Sequence, residues 1–251
     1  MTDRRKWTLR LVSLAVLAGV WEALGRGLDV LLLPSFSETL LAFLRLVADV
    51  HFWVALWISN EALLLGFALA AVVGVPLGLA VGRSPRVERF SGFYLDLLLV
   101  TPISALIPVL IPALGIGLAS RTAVVFLFAF SVITISAASA IKAADLVLLE
   151  MSRSFGASRF QVWRKILIPA ALPRVLTGLR LGLGRALAGM VVVELLMVAA
   201  GVGGLILRYQ ADFDAPNAYA VVLSVAAESV LLMSIVRKAE RRTLVLHGWT
   251  A

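Results

Sequence analysis

Three ionisable residues lie within one hydrophobic segment in the second half of the chain: Arg180, Arg185 and Glu194. Charged groups in such a segment are costly, and they usually face the interior of a helix bundle or a water-filled path. On one helix, Arg180 and Glu194 would lie about 21 Å apart along the axis, so they cannot pair with each other. Two roles stay open for the three residues. They pair with other helices, for which Glu61 and Glu228 are candidate partners, or they line a path for a solute.

The rest of the sequence offers little covalent chemistry. It has no cysteine, which excludes disulfides, thiolate metal sites and thiol catalysis. Its two histidines, His51 and His247, lack the spacing of a metal centre, so we expect no metal site. No Gly-x-Ser-x-Gly elbow is present, which argues against an intramembrane hydrolase. No phosphate loop of the G-x-x-x-x-G-K-[ST] type is present either, so this chain cannot by itself hold ATP in that way.

The segments that must position these residues are strongly apolar. The 251 residues are 61% hydrophobic, and the mean hydropathy is +0.99. This composition indicates an all-α integral membrane protein, which we take as a single transmembrane domain over residues 1–251. Windows of about 19 residues find six candidate spans, each close to the roughly 20 residues that cross a bilayer. The predicted spans are residues 9–24, 53–81, 93–111, 122–141, 170–199 and 217–236.

The basic residues predict which side of the membrane each loop occupies. Most of them lie in the loops that share a side with both termini. Because cytoplasmic loops carry the excess of Lys and Arg, both termini are predicted to be cytoplasmic. The formal net charge of +8 is therefore a topology signal, and we expect no nucleic-acid partner.

The first span, within RRKWTLRLVSLAVLAGVWEALG, has the charged start and short apolar run of a cleavable signal peptide. We expect a retained helix instead. Glu22 and Arg26 lie one turn apart and can pair at the outer interface, and cleavage would leave the termini on opposite sides. The following segment, SFSETLLAFLRLV, predicts a helix at the membrane surface, with Ser37 as its N-cap.

Small residues and prolines interrupt the longer spans. Gly74, Gly78 and Gly82 form a stripe that lets another helix approach closely, and glycines recur in the fifth span. The third span, TPISALIPVLIPALGIG, contains three prolines, each of which removes an intrahelical hydrogen bond. Freed carbonyls are tolerated where protein or water satisfies them. The segment therefore either lines a path or is kinked to fit its neighbours.

The most polar interior stretch is LLEMSRSFGASRFQVWRKILIPAALP, residues 148–173. Residues 146–154 have helical character, and Gly156 can adopt positive φ and end that helix. A second helix is predicted to place three apolar residues on one side: Phe160, Trp163 and Ile166. Pro169 and Pro173 mark the start of the fifth span. Such a helix–turn–helix is suited to docking of another protein, with an amphipathic helix resting on anionic lipid as the alternative.

The spacing within this stretch resembles the EAA loop of ABC importer permeases. A glutamate, Glu150, is followed six residues later by Gly156 and then by the ending ILIP, where the family has I-x-L-P. Met151 and Ser152 stand where the family motif has two alanines. The third span and the stretch LTGLRLGLGRALAGMVVVELLMVAAGVGGLI also resemble the family. The likeness covers roughly residues 55–240 and is similar to the nitrate, sulfonate and taurine class.

The resemblance implies the fold of a type I importer permease, with its core at residues 55–240 and its cytoplasmic coupling loop at 146–168. It implies a bacterial cytoplasmic membrane and a second copy of the chain to complete the path. Two P-loop ATPase subunits would bind the loops and hold ATP and Mg²⁺, and a binding protein outside would deliver solute. The chain itself would carry no cofactor and would not be an enzyme. ATP binding would drive alternating access through the loops.

Two groups of site residues follow from the resemblance. Those expected to dock the ATPase are Glu150, Ser154, Gly156, Ala157, Arg159, Phe160 and Trp163. Those expected to line the translocation path are Thr101, Pro102, Ser104, Thr177, Arg180, Arg185 and Glu194.

Two questions stay open at this level. An ion-coupled secondary transporter is the alternative function, although we find neither internal repeats nor a relay of acidic residues. The solute is expected to be a small anion such as a sulfonate, taurine or nitrate, which Arg180 or Arg185 could assist electrostatically. Whether the two permease copies are identical is also open.

Overall fold

A computed structural model describes residues 3–28, 32–143, 150–152, 154–196 and 200–246. Regular structure in these ranges is entirely helical, as predicted. The helices are α1 (Asp3–Gly27), α2 (Phe36–Ala48), α3 (Val50–Arg83), α4 (Pro85–Val100), α5 (Ile107–Leu114), α6 (Leu118–Lys142), α7 (Arg159–Val162), α8 (Ile168–Leu196), α9 (Gly201–Ala211) and α10 (Ala215–Leu246). A 3₁₀ turn at Ile103–Leu106 precedes α5, and a π turn at Trp163–Leu167 joins α7 to α8.

Three of the described helices, α3, α6 and α10, are by themselves long and apolar enough to cross a membrane. The number rises to five when two interrupted pairs each count as one span: α4 with residues 103–114, and residues 159–196 with α9. These candidates correspond to the second to sixth predicted spans, and α1 covers the first. The third predicted span is not one straight helix, because α4 and the segment after it are bent by 93°.

The chain folds as two compact units. One comprises Met1–Ile58 and Ala199–Glu228, and the other comprises Ser59–Val198 and Ser229–Ala251. The second unit contains most of the predicted site residues, and it is built around α6. Side chains are buried along the whole length of α6, from Ser120 to Ile141.

Glycines of α3 pack directly on α6. A Cβ on Gly82 would lie 2.5 Å from the carbonyl oxygen of Ala138, and one on Gly78 would overlap the carbonyl oxygen of Thr134. Gly74 likewise leaves no free space for a side chain beside Thr134. The glycine stripe predicted from the sequence is thus a close helix contact.

Glycines of α8 pack on another part of α6. Gly178 lies against Ser136, and a Cβ on Gly189 would come within 2.8 Å of the Phe128 ring. A Cβ on Gly182 would overlap the side chain of Ile133. Since α3 and α8 both approach α6 so closely, its neighbours are fixed by backbone contact as well as by side-chain packing.

A buried polar cluster joins the same three helices. Glu194 of α8 is fully buried, and one of its carboxylate oxygens accepts a hydrogen bond of 2.8 Å from the Ser59 hydroxyl of α3. A guanidinium nitrogen of Arg121, in the first turn of α6, lies 3.7 Å from the other oxygen. The sequence predicts Glu61 or Glu228 as partners for the charged residues of this span. Arg121, which it does not predict, faces Glu194 and supports pairing as a role of Glu194.

In the first unit, Glu22 and Arg26 form the predicted ion pair, with 2.6 Å between charged atoms. Glu22 also accepts hydrogen bonds from the backbone N–H and hydroxyl of Ser37. Ser37 is therefore not the N-cap of α2, and that prediction was wrong. Ser35 caps α2 through a capping box with Glu38, and its hydrogen bonds hold the pKa of the Glu38 carboxyl below its ordinary value.

We expect Gly78→Leu to destabilise the second unit, because its side chain would meet the α6 backbone. Overpacking of this kind costs about 2 kcal/mol or more. The thermal unfolding midpoint (Tm) in detergent measures the effect. Gly92→Leu is the matched control, since no atom lies within 4 Å of a Cβ built at Gly92. Equal Tm values for the two variants would contradict the close contact.

We expect Glu194→Gln and Arg121→Gln each to lower the Tm, because each leaves a buried group without its opposite charge. Removing one partner of a buried pair costs about 3 kcal/mol, whereas removing both costs less. The double variant should therefore lose less than the sum of the single losses. Additive losses would show that the two residues do not stabilise each other.

Candidate functional site

The first half of the polar stretch at residues 148–173 ends as predicted at Gly156. Residues 150–152 and 154 are helical, and Gly156 has φ +72°. The Phe155 N–H donates to the Met151 carbonyl and the Ala157 N–H donates to the Ser152 carbonyl, both at 3.0 Å. This is the Schellman arrangement, in which a left-handed glycine closes the last turn. Residues 146–149 and 153 of the predicted helix lie outside the described ranges.

The second half begins at once with an N-cap that sequence analysis missed. The Ser158 hydroxyl accepts from the Gln161 N–H at 3.3 Å, and the Ser158 N–H donates to the Gln161 side chain at 2.8 Å. The signal is the S-x-x-Q spacing of a capping box. Only Gly156 and Ala157 separate the two capped ends, so the turn is short and its backbone groups are largely satisfied.

Three exposed apolar side chains surround this turn, and we call them the loop apex: Met151, Phe155 and Phe160. Phe155 is 85% exposed and Phe160 is 70% exposed. Trp163 faces inward, where it packs on a buried cluster that includes Leu167. Phe160, three residues before Trp163, is not among the residues packed on that cluster.

The loop is anchored on α6. The buried cluster beneath Trp163 contains Ala140 and Ile141 of α6, Leu167 of the π turn and Ala171 of α8. The helix does not start anew at the two prolines, because α7, the π turn and α8 form one helical run, Arg159–Leu196. In the π turn the Ile168 N–H donates to the Trp163 carbonyl, five residues back.

Of the residues predicted to dock a partner, five are exposed: Glu150, Ser154, Gly156, Arg159 and Phe160. Ala157 and Trp163 are half-buried. Most of the residues predicted to dock the ATPase are thus exposed around the turn at Gly156. Trp163 instead packs on the buried cluster and anchors the loop.

The predicted path residues fall into three places. Four of them line a pocket of about 290 Å³ beside the break between α4 and α5: Thr101, Pro102, Ser104 and Arg185. We call it the break pocket. Its remaining lining comes from residues 98–100 and 103 at the break and from Phe128, Ser131 and Val132 of α6. At the break, α4 ends at Val100 and Thr101 is extended, with ψ 126°.

A second place joins Thr177 and Arg180 of α8 to Glu240 of α10. Arg180 lies 3.2 Å from one carboxylate oxygen of Glu240, and the Thr177 hydroxyl donates to the other at 3.0 Å. Sequence analysis missed Glu240 because it lies beyond the predicted end of the sixth span at residue 236, whereas α10 continues to Leu246. The third place is the buried cluster of Glu194.

No group of histidine and acidic residues that could hold a metal ion occurs in the part of the chain that the structure describes. The chemistry available at the break pocket is therefore that of a guanidinium group, three hydroxyl groups and backbone. These groups bind and orient a solute, and they hold no nucleophile and base for a covalent step.

Comparisons with known proteins identify the family of the chain. Residues 74–245 match the family model described as binding-protein-dependent transport system inner membrane component. The taurine transport system permease protein TauC of Escherichia coli K12 is 30% identical, over 97% of this chain and 91% of that protein. The putative aliphatic sulfonates transport permease protein SsuC of Bacillus subtilis 168 is 32% identical, over 96% of this chain and 88% of that protein.

Solved structures share the fold. A chain of the inward-facing MetNI methionine ABC transporter superimposes with a TM-score of 0.63 at 20% identity, and the match covers 76% of this chain and 94% of that one. The family model covers well over half of the chain, and both relatives align along nearly all of it. The chain therefore belongs to the family of inner membrane components of binding-protein-dependent transport systems.

Proposed function

We propose that the chain is the permease subunit of an ATP-driven importer for small sulfonates such as taurine. The proposed solute class follows from the relatives named for taurine and aliphatic sulfonates. The structural observation that carries the proposal is the loop apex. It is an exposed apolar surface on a turn capped at both ends, and its base is packed on α6.

The loop apex has the properties that a docking element for an ATPase needs. Exposed phenylalanines give a partner apolar area to bury, and aromatic residues dominate the energetics of such contacts. Arg159 adds charge beside them. Because the turn is closed by the Schellman arrangement and the capping box, a force applied at the apex moves the element as one piece.

The base of the loop would transmit that movement into the membrane. Leu167 and Trp163 pack against α6, and the helical run that starts at Arg159 continues into the span that carries Arg185 and Glu194. A displacement of the loop therefore acts on α6 and α8 together. This is the mechanical link that alternating access requires, in which two packed arrangements exchange when a partner closes.

The remaining parts belong to partners. The chain has no phosphate loop for ATP, so ATP and Mg²⁺ would bind to two cytoplasmic ATPase subunits, and the chain is non-catalytic. A second permease copy would complete the path, and an extracytoplasmic binding protein would deliver the solute. Both termini would be cytoplasmic in a bacterial inner membrane, as the distribution of basic residues predicts.

We expect Phe160→Ala to weaken ATPase binding about tenfold or more, the effect of losing an interface hot spot of about 2 kcal/mol. The measurement is co-purification of the tagged chain with its ATPase from native cells, with mass spectrometry of the partner. Phe93→Ala is the matched control, since Phe93 is as exposed as Phe160 but lies in α4. Undiminished recovery of a P-loop ATPase with Phe160→Ala would count against docking at the apex.

We expect Ser158→Ala to reduce the number of solute molecules imported per ATP hydrolysed, because loss of an N-cap costs about 1 kcal/mol and loosens the turn. Ser158→Asp should restore the ratio, since aspartate caps helices as well as serine does. Transport and hydrolysis are measured together in proteoliposomes. If Ser158→Ala imports the normal number of solute molecules per ATP hydrolysed, the capped turn has no role in coupling.

A further inference from the structure

The break pocket contains an arginine whose charge is not compensated within the described chain. Arg180 lies beside Glu240 and Arg121 lies beside Glu194. Arg185 lines the break pocket, and it forms no ion pair or hydrogen bond with any other residue that the structure describes. A cation in a membrane span is costly unless an anion or water faces it. Arg185 is thus a charged group of this span that is available to a ligand.

Three hydroxyl groups in the same pocket are also unengaged. Some hydroxyls in the spans bond back to their own helix, as Thr134 does to the Phe130 carbonyl at 2.7 Å. The hydroxyls of Thr101, Ser104 and Ser131 make no hydrogen bond to another residue in the described ranges. Ser131 is only 3% exposed, whereas Thr101 is half-buried and Ser104 is exposed. These hydroxyls are donors without a protein acceptor.

The shape of the pocket follows from the helix break. Because Pro102 has no N–H, it cannot continue the hydrogen bonding of α4, and the chain turns away at Thr101. The cavity of about 290 Å³ lies close to the lower limit of volumes typical of small-molecule sites. Phe128 and Leu98 provide an apolar wall beside the polar groups. A short molecule with one charged head and a small apolar tail suits such a cavity.

We propose that the break pocket binds the oxyanion head of a small organic sulfonate during its passage through the permease. The Arg185 guanidinium would hold two sulfonate oxygens as a fork, and the hydroxyls of Ser131 and Ser104 would donate to the remaining oxygen. No acidic residue lines the pocket, so its charge favours anions. The assignment of a sulfonate rests on the proposed function, whereas the anion site rests on the geometry of the break pocket.

The test measures binding directly on the full chain. Saturation-transfer NMR detects weak ligands, and it is applied with ethanesulfonate and with ethyl methyl sulfone, which has a similar shape but no charge. We expect saturable binding of ethanesulfonate and none of the sulfone. Arg185→Gln should weaken ethanesulfonate binding about tenfold or more, because charge-assisted hydrogen bonds are lost. Arg185→Lys should retain part of the binding, since lysine keeps the charge but not the fork.

Two further variants distinguish a loss of binding at the break pocket from a general effect of removing a positive charge. Arg89→Gln removes the same charge from α4, about 13 Å or more from the break along the helix axis, and should bind like the unaltered chain. Ser131→Ala removes one buried donor with little change of volume, and it keeps the test decisive if Arg185→Gln does not fold. Absence of saturable binding, equal binding of the sulfone, or undiminished binding in both pocket variants would overturn the proposal.

Changing the membrane mimetic tests whether the pocket binds a soluble sulfonate or the phosphate of a lipid. The measurement is made in maltoside micelles, which contain no phosphate, and in phospholipid nanodiscs. Binding in both supports a soluble sulfonate as the ligand. Loss of binding in nanodiscs alone would assign the pocket to a lipid phosphate and overturn the sulfonate assignment.

Uptake experiments distinguish failure of this inference from failure of the proposed function. In proteoliposomes with the ATPase and binding protein, Arg185→Gln should slow taurine uptake about tenfold, whereas Arg89→Gln should leave taurine uptake unchanged. Normal uptake with Arg185→Gln would overturn the pocket's role and leave the importer function intact. Absence of ATP-driven uptake with the unaltered chain, together with ethanesulfonate binding, would overturn the proposed function and support the anion site.

Discussion

The close contact of α6 with the glycines of α3 and α8 is the constraint on which the second unit depends. In lipid, apolar side chains gain little by leaving one apolar surface for another, so helix association rests on van der Waals packing and on buried polar contacts. Gly78 and Gly178 let two helix backbones approach α6. That approach brings Ser59 and Arg121 within reach of Glu194. Packing of small residues and burial of charge are thus two parts of one arrangement.

The same helix, α6, also supports the base of the loop that carries the loop apex. Arg159–Leu196 is one helical run, and its proline positions are accommodated by the π turn and by the start of α8 rather than by an interruption. Trp163 and Leu167 hold the base of the loop on α6, while Gly182 holds the middle of α8 on it. The loop and the buried part of α8 are therefore fixed to a common support, and a movement of one cannot leave the other in place.

Local patterns with a direct steric or hydrogen-bonding meaning were predicted well from the sequence. The glycine stripe of α3, the turn at Gly156 and the ion pair of Glu22 with Arg26 all occur as expected. Contacts between distant segments were not predictable, and Glu240 was missed because a span window ends where hydropathy falls although the helix continues. Ser37 was mistaken for a cap because its competing partner, Glu22, lies in another helix.

The charged residues of the spans differ in whether an opposite charge of the chain lies beside them. A buried charge that meets its opposite within the chain, as Glu194 meets Arg121, contributes to the packing of the helices. The sequence alone does not distinguish Glu194 from Arg185, because both are ionisable residues in one apolar segment. What distinguishes Arg185 is the helix break opposite to it, where prolines prevent α4 from closing the space. The break of α4 at Pro102 therefore leaves Arg185 beside a pocket, whereas Arg121 and Arg180 lie beside carboxylates.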